Sequence, residues 1–328
     1  MQLFMQNKSV LSMGNAVLAL RLVIGWTYFS AFWRRLILEN KLDPEAAGYI
    51  GEKFNHFLPN ALFIKPLIQY LVENPEALFW NMWIFTLVEG IVGLLLILGY
   101  KTRLMSIAVF FLAMGILLGS GWIGTTCLDE WQIGVLGLAG GFTLFQAGSG
   151  KISLDYFFHR NQYIQHENEW NIISYKKFSP YFLGFSFFIL FVTLFTNQVF
   201  HGGVYGTLHN KSVKPQVEIS NLTQQQNKVS FDVMRIEGAD VYGSFLIQID
   251  FHNHQNEIIK SLDMKALANL DHQQISNYYV AKVAPHKHSL VLPLGAKANL
   301  NFHIENKIHK VVLTDISGLQ WEQTITNL

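Results

Sequence analysis

Two ionisable residues stand where an apolar environment makes them costly. Arg21 interrupts the apolar run 16–33, and Glu89 is the single ionisable residue of the run 78–99. A charged group inside a bilayer costs several kcal/mol unless it is paired or hydrated, which makes each a functional candidate by default. At a helical rise of about 1.5 Å per residue, Glu89 falls near mid-span and Arg21 somewhat nearer one end. Their depths allow an ion pair between the first two apolar helices. Two readings stay open: a proton-handling carboxylate beside a substrate cavity, or a buried pair that only fixes helix register.

Three further features carry chemistry. The sequence GWTYFSAFWRR (25–35) ends an aromatic helix with Arg34 and Arg35. Arginine forks suit tetrahedral oxyanions; the plainer reading is snorkelling arginines that pair with headgroups or with Glu39. The turn GWIGTTCLDEWQ (121–132) holds the only thiol, Cys127, beside Asp129, Glu130, Trp122 and Trp131. A lone cysteine is ordinarily a small apolar filler; in a polar turn, nearby cations would favour the reactive thiolate and the two acids would oppose it. Histidine pairs at 252/254 and 286/288 would share a strand face, a possible metal arrangement, although plain surface histidine is commoner. GSGWIG (119–124) matches GxGxxG but ends an apolar helix instead of joining a strand to a helix, so the dinucleotide rationale is missing. GxxxG spacing at Gly115/Gly119 and Gly137/Gly141 reads as close helix packing.

The elements that must position these residues follow from hydropathy. Five apolar runs of about twenty residues lie at 16–33, 78–99, 104–121, 131–148 and 178–200. The first is too long for a signal peptide, carries Arg21 and has no small-residue cleavage site after it. Short-loop cations set the orientation. Lys101 and Arg103 place one tight turn in the cytoplasm, as do Lys151, Arg160, Lys176 and Lys177 for the segment 149–177, whereas 120–130 has acids and no cation. The N-terminus is then cytoplasmic and everything after residue 200 lies outside. In the long outer loop, 44–57 and 60–72 read as short amphipathic helices, the second with Pro66 inside it. After residue 200, the runs 228–236, 241–251, 289–294 and 311–316 are short, β-branched or aromatic and partly alternating; 263–271 is a helical turn or a loop.

The expected architecture is an α-helical membrane bundle, four transmembrane helices plus a fifth, followed by an extracytoplasmic all-β, sandwich-like domain. Its parts are a four-helix domain at 1–148, a cytoplasmic linker at 149–177, the fifth helix at 178–200 and the β domain at 201–328. Composition agrees: half the residues are hydrophobic and 14% are charged, against roughly 25% in soluble domains. A mean hydropathy of only +0.23 indicates a watery portion beside the lipid one. Net charge +1 offers nucleic acid no basic footprint. One cysteine excludes an intrachain disulfide and any Cys-rich metal site or cluster, and without CxxCH there is no covalent c-type haem.

The first span with GWTYFSAFWRR, the second with Glu89-Gly90 and its Leu-rich end, and the turn GWIGTTCLDEWQ together resemble DoxD of the DoxX-like membrane proteins. The outer β domain resembles DoxA, fused behind the fifth helix. The resemblance implies thiosulfate:quinone oxidoreductase chemistry at the bilayer, with thiosulfate oxidised to tetrathionate, quinone as electron acceptor, and no metal, haem or flavin. On that reading Arg34 and Arg35 bind the sulfonate end, Cys127 bonds the sulfane sulfur, Glu89 or Asp129 supplies protons, and Trp26, Trp122 and Trp131 line a quinone pocket. The implied location is the inner (cytoplasmic) membrane, with homo-oligomerisation left open. The alternative is a non-catalytic sulfur-oxyanion binder, transporter or assembly protein, since fold carries over more safely than chemistry.

Overall fold

A computed structural model describes residues 13–46, 48–124, 129–158, 162, 178–239 and 244–325. Its contacts divide the chain into two compact units, and the division is not contiguous in sequence. One unit takes the apolar helices; the other joins residues 50–78 and 122–124 to the chain from residue 210 onward.

The helical unit begins with α1 (Leu18–Phe32), which continues as a π-helical stretch, Trp33–Leu38. Three helices are long and apolar enough to cross a membrane: Pro75–Leu98, Thr102–Ser120 and Ser179–His201. Two expected spans fall outside that set. Helix α1 is 15 residues long. Asp129–Ala147 is 19 residues long, but polar Asp129, Glu130 and Gln132 and four glycines dilute it.

In chain order the remaining helices are α2 (Gly51–Phe57), α3 (Lys65–Glu73), α4 (Pro75–Leu98), α5 (Thr102–Ser120), α6 (Asp129–Ala147) and α7 (Ser179–His201). Tyr28 of α1, Val92 and Leu96 of α4, Val109 and Leu112 of α5 and Leu144 of α6 form one buried cluster. Ile189 of α7 joins a second one with Ala113, Leu117, Val135 and Leu138. Small residues bring backbones together. A Cβ on Gly93 would meet the Phe29 amide nitrogen and lie 2.7 Å from the Gly25 carbonyl oxygen, so α1 and α4 touch main chain to main chain. Gly137 and Gly141 bring α6 close to α5, against the Ala113 side chain and the Ser106 carbonyl, as their spacing predicts. Gly115 does not: its Cβ position faces open space.

Helix ends are closed by charge. Arg103 donates to the Phe145 and Gln146 carbonyls at 3.2 and 3.4 Å, where a cation suits the negative end of α6. Asp155 accepts from the Lys101 and Thr102 amides at 2.9 and 3.3 Å, at the start of α5. Helix α7 stops at Gly202 (φ 64), whose amide returns to the Gln198 carbonyl at 2.9 Å.

The second unit is a two-sheet antiparallel sandwich. Its strands are β1 (Gln216–Gln225), β2 (Lys228–Glu237), β3 (Ser244–His252), β4 (Ile258–Leu262), β5 (Ile275–Asn277), β6 (Ala284–His286), β7 (Ser289–Leu292), β8 (Lys297–His303), β9 (Lys310–Asp315) and β10 (Gln320–Thr324). One sheet runs β1-β2-β8-β5, the other β10-β9-β3-β7-β6 with β4 beside β3. Phe231, Phe251 and Phe302 meet in the core with ring centroids 5.5–6.3 Å apart. The segment 263–271 does contain a helix, α8 (Met264–Ala268), whose first turn is capped by the Asp263 carboxylate accepting from the Ala266 amide. The loop helices α2 and α3 belong to this unit. Leu58, Ala61, Ile68 and Val72 pack with Met234 and Tyr279 on the outer side of the first sheet. Pro66 sits in the first turn of α3, where its missing amide costs nothing, and not in a helix interior.

Candidate functional site

Arg35 lies in the π-helical stretch after α1, and π turns inside or beside α-helices often mark functional positions. Its Nη1 donates to Glu89 Oε2, forming an ion pair in which the Glu89 side chain is 2% exposed and the Arg35 side chain 25%. The expected Arg21–Glu89 pair does not form. Arg21, 1% exposed, donates instead to the Ser149 carbonyl and, at 2.5 Å, to the Ile152 carbonyl. Matching depth was necessary for a pair with Glu89 but left the partner undecided. The Gly25–Gly93 approach holds α1 against α4, and the π stretch that follows carries the side chain that reaches the acid. Tyr28 of α1, buried, is within electrostatic reach of Glu89.

Arg34 is exposed and its Nε donates to the Ser30 carbonyl at 3.3 Å, so the two adjacent arginines have different partners. Cys127 lies outside the described residues. Asp129 is the first residue of α6. Of the three tryptophans, Trp26 is exposed on α1. Trp131 donates its indole N–H to Thr196 Oγ1 of α7 at 3.0 Å. Trp122 is fully buried in the second unit and donates to the Phe57 carbonyl at 3.2 Å.

Two features of the approach to Cys127 have no counterpart in the sequence reading. Both backbone groups of Gly124 are held by the segment leading into β1. Its amide donates to Ser212 Oγ at 3.0 Å, and its carbonyl accepts from Asn210 Nδ2 at 2.7 Å with Ser212 Oγ 2.5 Å away. In the helical unit, His201 closes α7 and its Nε2 reaches the Gly121 carbonyl. A single histidine ending an apolar run was the available signal for His201; nothing in the sequence pairs 124 with 212.

The histidines of the β unit show no metal geometry. His254 stacks on His309 with centroids 4.3 Å apart, and His252 Nδ1 meets the Asn256 carbonyl. Among the described residues no group of three or more His, Cys, Asp or Glu side chains could hold a metal ion.

A family model described as TQO small subunit DoxD matches residues 17–186. The chain belongs to the DoxD family. A second model, TQO small subunit DoxA, matches residues 200–324, so a DoxD region and a DoxA region follow one another in one polypeptide. The DoxD match contains Arg34, Arg35, Glu89 and Cys127; the DoxA match coincides with the β sandwich. No solved structure matches the chain. The apolar helices indicate a membrane protein, and membership in the DoxD family together with the DoxA match supports an oxidoreductase.

Proposed function

We propose that this DoxD–DoxA chain is a thiosulfate:quinone oxidoreductase that forms tetrathionate. The observation that carries the reading is the presence of both TQO small-subunit families, end to end, in one chain. Arg34 and Arg35 hold the sulfonate end of thiosulfate by charge-assisted hydrogen bonds. The Cys127 thiolate bonds the sulfane sulfur as two electrons leave, giving a cysteine-bound thiosulfonate. A second thiosulfate then attacks that sulfur, releasing tetrathionate and restoring the thiolate, so charge and atoms balance without a metal.

Quinone, when bound, accepts the two electrons and with them two protons. The ion pair of buried Glu89 with part-exposed Arg35, set among apolar helices, suits a quinone head group, and Trp26 and Trp131 offer aromatic surface near the membrane interface. Glu89 holds a proton for that reduction; Asp129 is the second candidate. Short-loop charges support five spans in the inner membrane with the β unit outside the cytoplasm.

Purified protein in detergent should reduce a soluble quinone analogue with thiosulfate, and Cys127→Ser should abolish turnover with an unchanged unfolding temperature. Full turnover in Cys127→Ser would discard the covalent scheme. A wild-type protein that binds thiosulfate yet never reduces quinone would discard the enzymatic one.

A further inference from the structure

Glu89 is almost wholly buried, and its ion-pair partner Arg35 is not. The charged and titratable groups shown to act on Glu89 are Arg35 from the π-helical stretch and Tyr28 from α1. Tyr28 carries no positive charge, so charge compensation of the carboxylate rests on Arg35. A guanidinium has five N–H donors in a rigid fork. One of Arg35's is on Glu89, and its side chain, a quarter exposed, has further donors with which to meet a second anion.

We propose that Arg35 couples the two chemistries of the protein: an oxyanion bound on its open side weakens its hold on Glu89, and Glu89 takes up a proton in response. This rests on the reading above, in which Arg35 meets thiosulfate. A dianion is a stronger partner for a guanidinium than a carboxylate is. A carboxylate that loses its counter-ion in an apolar interior faces a desolvation cost of several kcal/mol, which protonation removes. The proton arrives with the sulfur substrate and before any electron moves. It is then held inside the apolar helices, where the two-electron, two-proton reduction consumes it. By linkage the same coupling makes thiosulfate bind more tightly as pH falls.

The test needs no turnover. Thiosulfate is titrated into the detergent-solubilised full chain, without quinone, in two buffers of different protonation enthalpy. Thiosulfate is fully ionised near neutral pH and brings no proton of its own. The expected result is uptake of up to about one proton per bound anion, with affinity that increases toward lower pH. Glu89→Gln, close to the native side chain in size, should bind thiosulfate with no uptake and little pH dependence. Arg35→Gln should lose both binding and uptake. Wild-type binding without proton uptake, or uptake that persists in Glu89→Gln, overturns the coupling and leaves the oxidoreductase reading standing. Failure of wild-type protein to bind thiosulfate at all overturns that reading and the coupling with it.

Discussion

The imidazole of His201 meets the carbonyl of Gly121 at 3.0 Å, tying the last residue of α7 to the residue that follows α5. A carbonyl only accepts, so Nε2 carries the hydrogen and donates it. The neutral ring then has its lone pair on Nδ1, which is buried without a hydrogen-bond partner among the described residues. His201→Leu should cost about 1–3 kcal/mol, because it leaves a buried carbonyl without its donor. His201→Gln, which keeps a donor, should recover part of that. Unfolding temperatures in detergent check both.

The contact of α1 with α4 depends on glycine at 93. A methyl group there would press on the Phe29 and Gly25 main chain, which cannot yield as a flexible side chain can. Gly93→Ala should lose about 1–3 kcal/mol by overpacking and lower turnover as well, since the same contact aligns the segment bearing Arg35. Gly115→Ala is the control. Its Cβ site is open and lies within α5, so alanine should be neutral or up to about 1 kcal/mol stabilising.

Ser212 is buried and holds Gly124 on the approach to Cys127. Ser212→Ala removes the acceptor of the Gly124 amide. Hydrogen exchange at that amide should accelerate, and stability should fall by about 1–3 kcal/mol. An exchange rate equal to wild type would show that the hydroxyl does not hold the segment.

In the β unit, the buried Asp232 carboxylate accepts from Asn221, Asn299 and Tyr278 at 2.8, 2.8 and 3.1 Å. Desolvation, and after it the adjacent Asp232 charge, raises the Tyr278 hydroxyl above its ordinary range. The folded form therefore favours the protonated phenol. Its contribution is complete below the unfolded tyrosine value, about 10, and is lost as pH rises through the higher folded value. Tyr278→Phe should lower stability at neutral pH and lose less than wild type on alkaline titration, followed by the unfolding midpoint.

Much of the fold is legible in the sequence. Apolar runs marked the places of α4, α5 and α7, and alternation marked β2, β3, β7 and β9, because burial along a regular element imprints its own period. Strands β1, β4, β5, β6, β8 and β10 went unread: β1 mixes Asn, Thr and three glutamines with few apolar residues, and β8 carries a Lys and two Asn among its seven residues. The loop helices were legible, but their partner was not. Met234 and Tyr279 receive α2 and α3 across more than 150 residues of chain, and no local pattern encodes such a contact.

The site divides in the same way. The sequence alone picked out Glu89 and the arginines, because an ionisable residue among apolar ones is anomalous whatever surrounds it. It also fixed the depth of each, since helical rise is constant. Which arginine compensates the acid was decided only by tertiary structure. That choice depends on the rotation of α1 about its axis, on the close approach that Gly25 and Gly93 permit, and on the π-helical stretch bearing Arg35. Residue counting contains none of these. Arg21, well placed in depth, faces the carbonyls of Ser149 and Ile152 instead.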